Sequence, residues 1–465
     1  REDGIQLEFS RMRLSLVRGL VADNVRVGDA KNSGFSTLAA REVQLQLDYA
    51  ALLHRRLQVD GLMVRDGTFT LAASPTNTLT VTNLQSEFEY TTNGTWSVNH
   101  FHAGFAGTRI TISGGIAHAD EILNWKLFGA QKPTGPAPSG GNQPAGQGVL
   151  APLLRQISDS LAQIRFTGQP LLNLFVAGDA RDVHSITVRM EALVPDVHTP
   201  WFSARNLQLA ARLTAPTDAP AGVNPAWGFW ANLQPFRLEW TARTAELHVE
   251  KLSIDTLAAG GEWHAPKLSV KDISAQIAGG SLDAAAELDV DARTLVFTNF
   301  SSFDPHLLAD WLTEKARAQL ATVLWTRPPT LEVAGALTVP PWTNEMTGWR
   351  DEIAPTVRLN GQLAFTNAVA AGRTLDFLRT HFSYTNQFWK LSGLELAQGR
   401  TRLEFDGDAD ETTHYFNGHL CGALEAASAR PFLTASNLTR NFDRFSFRQP
   451  LALDVAVRAN WRDWN

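Results

Sequence analysis

The sequence has almost no cysteine: Cys421 is the single one in 465 residues. One thiol cannot form an intrachain disulfide or a thiolate cage around a metal ion. Long apolar runs are also lacking, because no stretch of uncharged, apolar residues reaches the ~20 residues that a membrane-spanning helix needs. These absences exclude a disulfide-stapled domain, a cysteine metal centre and a helical membrane span in these residues.

Positive charge is not in excess, since 41 Lys and Arg face 47 Asp and Glu for a net charge of −6. A chain with this balance and interspersed signs has no basic field that would attract nucleic acid. The hydrophobic fraction of 44% is too high for a disordered chain. The length allows either several compact domains or one long repetitive one.

Signatures of common catalytic sites are missing as well. There is no phosphate-binding glycine loop, Gly-x-Ser-x-Gly elbow, His-Glu-x-x-His helix or paired-cysteine spacing. The sequence therefore predicts a protein that is not an enzyme and that carries no cofactor and no metal. His100 and His102 share one strand face but lack a third ligand. Asp406, Asp408 and Asp410 have calcium-loop spacing without its glycine and glutamate, which predicts an exposed acidic turn.

What the sequence does contain is alternation with a period of two. Val43, Leu45 and Leu47 alternate with polar neighbours, and similar patterns recur as far as Leu403 and Phe405. Alternation places apolar side chains on one face of a strand and polar ones on the other. Short turn signals such as Asp66-Gly67, Ala278-Gly279-Gly280 and Asp406-Gly407 separate these stretches. The pattern predicts a mainly β chain whose strands are half-buried and antiparallel.

Two stretches depart from this period. Leucine and isoleucine recur at helical spacing over residues 150–165, after a segment at 131–149 that is rich in glycine and proline and should be a flexible, protease-sensitive linker. A second apolar stripe predicts a helix at about 305–325, with Asp304 as its cap and Pro305 in its first turn. The predicted organisation is a β module at 1–130, the linker, the helix at 150–165 and further β repeats at 166–465.

One three-strand pattern is used twice. Residues 84–117 align with residues 378–409, so that Phe88, Tyr90 and Trp96 correspond to Phe382, Tyr384 and Trp389. Val98 and Phe101 correspond in the same way to Leu391 and Leu394, with a shorter echo at Ala40, Ala204 and Ala242. Repeated strand units predict an elongated sheet that grows by addition.

The segment from Leu20 to Leu71 resembles the first module of the AsmA-like family of bacterial envelope proteins. The resemblance rests on the order of a strand, a turn at residues 24–28, a strand to Leu47, a short helical turn from Tyr49 to Leu53 and a further strand before Gly67. Residues 268–290 are similar to the later repeats of that family. The resemblance implies an antiparallel β-sheet curled into a groove, which carries phospholipid acyl chains across the periplasm in support of the outer membrane. It also implies an inner-membrane anchor, which we expect outside this chain, as in a piece of a longer protein.

On this interpretation the alternating apolar residues line the lipid groove, and the helix at 305–325 gates it or caps its end through Trp311 and Leu312. The candidate groove residues are Val43, Leu45, Leu47, Leu57, Val59, Phe88, Ile110, Ile112, Leu207, Leu209, Leu247, Val249, Leu268, Val270, Leu403 and Phe405. For each of them, packing in a protein core is the alternative.

Two other functions fit the same sequence. A structural β scaffold for envelope partners would differ only in having its apolar face closed by protein. A carbohydrate-binding β protein would use some of the fourteen tryptophans, for example Trp240 beside Glu239, in one cleft.

Overall fold

A computed structural model gives the fold of the chain. It describes residues 5–15, 17–29, 36–56, 58–74, 77–91, 94–105, 107–118, 121, 164–215, 224–249, 252–312, 314–342, 352–370, 373–426, 442, 444 and 446–460. The described part of the chain is mainly β, with 71% of its residues in strands, and its 25 strands form one sheet that is antiparallel except at the junction given below. The predicted fold class is confirmed.

The strands are numbered in chain order. The first twelve are β1 (Ile5–Glu8), β2 (Arg11–Ser15), β3 (Gly19–Asp29), β4 (Ser36–Leu47), β5 (Val59–Ser74), β6 (Asn77–Tyr90), β7 (Thr95–Phe105), β8 (Thr108–Ala117), β9 (Arg165–Thr167), β10 (Leu171–Asp179), β11 (Asp182–His198) and β12 (Phe202–Thr214). The others are β13 (Arg237–Val249), β14 (Leu252–His264), β15 (Lys267–Ile277), β16 (Gly280–Asp289), β17 (Thr294–Ser301), β18 (Val323–Trp325), β19 (Thr330–Thr338), β20 (Arg358–Ala370), β21 (Arg373–Thr385), β22 (Phe388–Gln398), β23 (Thr401–Asp410), β24 (Tyr415–Leu424) and β25 (Leu451–Asn460).

The chain divides into two compact units. The first consists of Arg1–Pro225, Phe229–Leu247 and Glu262–Ala265, and the second of Ala226–Gly228, His248–Gly261 and Pro266–Asn465.

In the first unit, β3 to β8 pair antiparallel with their sequence neighbours, and both β1 and β2 pair with β3. The junction between β8 and β10 is different, because these two strands are parallel. Gly114 lies at this junction with φ +133°, and a Cβ there would collide with the backbone of Val176. The expectation of an antiparallel sheet is therefore corrected at this junction. Parallel neighbours require a long crossover between them rather than a hairpin.

A small polar cluster connects the ends of β8 and β10, the two parallel strands. Asp179, the last residue of β10, lies 3.0 Å from Nδ1 of His118, which follows β8. It also accepts hydrogen bonds from the guanidinium and backbone N–H of Arg181. The Arg181 guanidinium, followed by its backbone N–H, holds the pKa of Asp179 well below its usual range.

In the second unit, β15 to β17 and β19 to β25 form an antiparallel series. β17 pairs with β19 rather than β18, and β18 pairs with β20. The segment between β17 and β19 therefore leaves the main ladder, and it carries the predicted helix.

The single helix predicted at about 305–325 is wrong as a continuous element. Pro305–Trp311 is a 3-10 helix, Glu314–Leu320 is an α-helix, and Val323–Trp325 is strand β18. Asp304 caps the first piece as predicted, through a 2.9 Å hydrogen bond from the backbone N–H of His306. The stripe breaks because Trp325 is held in the extended β18 conformation by its pairing with Ala368.

The other predicted elements have mixed outcomes. The helical turn at Tyr49–Leu53 is confirmed, with Asp48 accepting from the backbone N–H of Ala50 and Ala51. The linker at 131–149 and residues 150–163 of the predicted first helix lie outside the described residues, and Arg165 begins β9. Two short 3-10 helices separated by a kink at Gly228 lie within Pro225–Asn232, and a further one spans Ala354–Thr356.

Several predicted turns lie inside strands. Residues 24–28 belong to β3, Asp66-Gly67 to β5 and Asp406-Gly407 to β23, whereas Ala278-Gly279 does form the turn between β15 and β16. Asp66 has φ +48° and coincides with a shift of register. Such residues with left-handed backbone mark β-bulges, which bend a strand without ending it.

The internal repeat is confirmed in three dimensions. Tyr90 lies opposite Trp96, just as Tyr384 lies opposite Trp389. The register between β7 and β8 shifts between Val98 and Phe101, and that between β22 and β23 shifts at the equivalent positions. Both copies thus share the pairing of tyrosine with tryptophan and the register shift between their second and third strands.

Candidate functional site

The apolar face of the first unit is continuous from strand to strand. Side chains directly opposite each other in paired strands share a face, so the register identifies which residues lie side by side. One row runs through Leu20, Leu45, Leu62, Phe88, Val98, Gly114, Val176, Val188 and Leu213. The next row runs through Ala22, Val43, Val64, Ser86, Phe101, Ile112, Leu174, Met190 and Ala211. Two adjacent rows across nine strands are therefore almost wholly apolar.

The second unit has a face of the same kind. One row contains Val270, Ala286, Phe297, Gly335, Leu359, Tyr384, Trp389, Ala409, Phe416 and Ala459. A parallel row contains Phe365, Leu378, Leu396, Leu403, Gly422 and Leu453. The first of these rows crosses ten strands and contains no charged residue.

Aromatic rings and glycines make parts of this second face flat. A Cβ on Gly335 would lie 2.7 Å from the Phe297 ring, and one on Gly361 would lie 2.6 Å from the Phe382 ring. The rings therefore lie over the glycines of the neighbouring strand instead of standing away from the sheet. A ring that lies flat presents its face outward, which leaves a broad, low apolar surface.

These faces are only half covered. Every described candidate groove residue is half-buried: neither fully exposed nor enclosed as a core residue would be. Within the rows only a few residues are fully buried, namely Val64, Ser86 and Tyr384, and other buried apolar side chains form separate clusters such as that of Val194, Val197 and Ala204. A sheet face that is half covered along its length is available to bind an apolar ligand.

The register brings most of the candidate residues together within their units. In the first unit Leu45 and Phe88 share the first row, and Val43 and Ile112 share the second. Ile110 and Leu209 share a third row through Leu172 and Ala192, and Leu47 faces Val59 beyond a bulge.

The remaining candidates are distributed as follows. Leu207 and Leu247 are half-buried and pack against the Val194 cluster. Leu268, Val270, Leu403 and Phe405 lie on the face of the second unit. Val249 is half-buried at the end of β13, and Leu57 lies outside the described residues.

The two residues predicted to gate the groove have exposed side chains. Trp311 is 51% exposed and Leu312 is 37% exposed. Only Leu308 of this segment packs against a described core cluster, that of Leu252, Ala275 and Ile277. The gating role of Trp311 and Leu312 therefore stays a prediction.

The two copies of the repeat differ in how far other parts of the protein cover their tyrosine–tryptophan pairs. Tyr90 and Trp96 are 43% and 49% exposed, whereas Tyr384 is 6% exposed. Ile353 and Val357 pack over Tyr384, next to the 3-10 helix Ala354–Thr356. Burial, together with the nearby charge and hydrogen bond of Glu411, raises the pKa of Tyr384. The second copy is thus closed by a segment that lies outside the repeat.

Many of the charged residues on the surface are paired. Arg41 with Asp66, Arg205 with Glu246 and Lys267 with Glu287 form surface ion pairs of 2.5 to 2.8 Å. Pairs of this kind contribute little to stability.

The histidine pair and the aspartates near residue 406, which the sequence offered as possible metal ligands, have structural roles. The rings of His100 and His102 stack 6.4 Å apart, and no group of three metal-ligating side chains occurs among the residues that the structure describes. Asp406 accepts from the backbone N–H of Gly393, while Asp410 caps the turn that follows β23. Asp406 and Asp408 lie within the strand itself, so the predicted acidic turn is confirmed only at Asp410.

Some of the tryptophans fill cores. Trp263 is 1% exposed, stacks on Trp230 and donates to the carbonyl of Leu233. Trp240 is half-buried, and its neighbour Glu239 is paired with Arg237. Others are exposed, among them Trp96 and Trp201.

Comparison with known proteins gives no match, either to a protein-family model or to a curated protein. In the described part of the chain, no helix has the length and apolarity to cross a bilayer.

Proposed function

We propose that this chain is a non-enzymatic lipid-binding module that carries phospholipid acyl chains along its apolar sheet faces. The observation that supports the proposal most directly is the unbroken register of half-buried apolar residues, nine strands wide in the first unit. A sheet with one apolar face must cover that face with protein or with a ligand.

The energetics favour a ligand with long alkyl chains. Each buried methylene contributes about 0.8 kcal/mol, so two acyl tails can be retained without a specific headgroup contact. Adjacent positions along a row of Leu, Val and Phe side chains are nearly equal in energy, which permits sliding. No bond is made or broken in this mechanism.

The resemblance to the AsmA-like family extends the proposal to a location and to partners. On that basis the module works in the bacterial periplasm, exchanges phospholipid between envelope membranes, and is tethered to the inner membrane by a segment outside this chain.

Crosslinking from adjacent residues, which lie on opposite faces of one strand, distinguishes lipid binding from a scaffold role. A photo-crosslinking amino acid at Leu209, on the apolar face, should capture phospholipid in cells, whereas the same group at exposed Gln208 should not. Phe405 and Glu404 provide the same comparison in the second unit. Gln44 is a poor control because it is only 6% exposed.

Native mass spectrometry of the gently purified protein gives an independent measurement. Co-purifying phospholipid is expected. Two results together would contradict the proposal: equal crosslinking from the apolar and the polar residue of each pair, and a measured mass equal to that of the protein without lipid. They would favour a scaffold that recruits proteins.

A further inference from the structure

The polar face of the second unit contains a trough of about 750 Å³ that spans β15 to β21. Its centre is a single transverse row formed by Ser274, Asp283, Phe300, Glu332, Gln362 and His381, one residue from each of six strands. Phe300 lies on the opposite face from Phe297, because alternate residues of β17 point to opposite sides. The trough is therefore separate from the apolar face.

The polar side chains of this row have no protein partners. Within the described residues, no side-chain hydrogen bond or ion pair engages Asp283, Glu332 or Gln362, and the same holds for Asn360 and His381. Another trough on a polar face of this unit differs: there Asp408 accepts from Asn417, and His419 contacts Asp454. The groups around Phe300 are thus free to bind a ligand from solution.

The chemistry of these groups limits the class of ligand. Neither Lys nor Arg lines the trough, which disfavours phosphates and other anions. Asp283 and Glu332 flank Phe300 two strands apart, roughly 10 Å, which is too far to share one metal ion. Carboxylates only accept hydrogen bonds, whereas the amides of Asn360 and Gln362 both donate and accept. A fitting ligand needs many donors and acceptors together.

Phe300 supplies an exposed aromatic ring among these polar groups. Its ring is 42% exposed in the middle of the row, although water disfavours exposed aromatic surface. The negative face of an aromatic ring attracts polarised C–H groups, such as those on the apolar side of a sugar ring. We propose that this trough binds a neutral oligosaccharide, which stacks on Phe300 and forms hydrogen bonds with Asp283, Glu332 and Gln362.

The trough is open and elongated rather than a closed pocket. Six strands at the usual spacing give a row of roughly 24 Å between its outer strands, which suits an extended chain of several sugar units rather than a monosaccharide. This inference stands apart from the lipid proposal, because the two use opposite faces of the sheet.

The test uses the full 465-residue protein and isothermal titration calorimetry with three neutral tetrasaccharides, cellotetraose, chitotetraose and maltotetraose. At least one should bind at millimolar concentration or below, with little dependence on salt. Phe300→Ala should weaken that binding by about tenfold or more, because it removes the stacking platform. Val296→Ala is the matched control: Val296 is 49% exposed on the same face of β17, outside the trough, and should bind normally.

Two further measurements keep the result decisive. Glu332→Gln should weaken sugar binding severalfold while leaving the circular dichroism spectrum unchanged, which separates a lost contact from a lost fold. The proposal is overturned if no tetrasaccharide binds, if Phe300→Ala and Val296→Ala bind equally well, or if spermidine displaces the sugar in a salt-dependent way. That last outcome would identify a cation site.

Discussion

The close approach of Phe297 to Gly335 can be tested by a double-mutant cycle. A Cβ on Gly335 would lie 2.7 Å from both the Phe297 ring and Cδ2 of Leu359. Both neighbours must move to accept a methyl group, and overpacking of this kind typically costs about 1–3 kcal/mol. Alanine recovers about 0.5–1 kcal/mol through the backbone. Gly335→Ala should therefore lower the free energy of unfolding by about 1–2 kcal/mol.

The partner substitution has a separate cost. Phe297 is half-buried, so Phe297→Ala should lose about 2 kcal/mol, which is roughly half of the loss at a full core site. With the ring gone, the methyl group at residue 335 meets less resistance. The double variant should therefore be no less stable than Phe297→Ala alone, which corresponds to a coupling energy of about 1–2 kcal/mol.

Urea unfolding followed by near-UV circular dichroism measures each corner of the cycle, using the transition of the second unit. Gly115→Ala, followed in the transition of the first unit, is the control for the glycine-to-alanine change itself, because a Cβ there meets its nearest atoms at 3.6 Å or more and should not destabilise. Additive costs, within about 0.5 kcal/mol, would show that the ring does not lie over Gly335 and would refute the flat apolar surface described above.

Three further outcomes follow from individual side chains. Trp389→Ala should cost about 2 kcal/mol more than Trp96→Ala in urea unfolding, because Trp389 packs on a covered tyrosine and donates a 2.8 Å hydrogen bond, whereas Trp96 is 49% exposed. Ser86→Ala should raise the free energy of unfolding by about 1 kcal/mol, since the Ser86 hydroxyl is buried without a partner among the described residues. The pKa of Asp410, lowered to about 2 by the hydroxyl of Thr412 and other nearby donors, should rise in Thr412→Val when followed by carboxyl NMR. The stability that this carboxylate contributes should be present above pH ~4 and lost as the pH falls towards 2, and an unchanged titration would contradict the assignment.

Alternation in the sequence was sufficient to predict the strands and the apolar face. Val43 and Leu45 lie on that face because adjacent strands repeat the same period, and the register then joins them to Ile112 and Phe88. Helix Tyr49–Leu53 was expected from the resemblance to the AsmA-like family, and what stabilises it is local, since its Asp48 cap is next to it in sequence. Features that depend on neighbouring residues were thus predictable.

Features that depend on distant partners were not. The stripe at 305–325 has helical spacing, but β18 pairs with β20, which begins 33 residues after Trp325. The indole N–H of Trp325 also donates to Asp304, so the two ends of the predicted helix meet. Burial disfavours the charged form of Asp304, but hydrogen bonds from His306 and Trp325 outweigh it, and the pKa of Asp304 is lowered. Strand pairing and this contact override the local preference for one continuous helix.

The exposure of the apolar face also depends on segments that are distant in the sequence. Both copies of the repeat place a tyrosine opposite a tryptophan, and their strand residues give no sign that one pair is covered and the other exposed. The cover comes from Ile353 and Val357, which precede β20 and have no counterpart in the repeat. A repeated strand unit thus determines which side chains line the face, while the segments between strands determine how much of it a ligand can reach. For that reason the crosslinking comparison is placed at Leu209 and Phe405, on strands where the register and the exposure are both described.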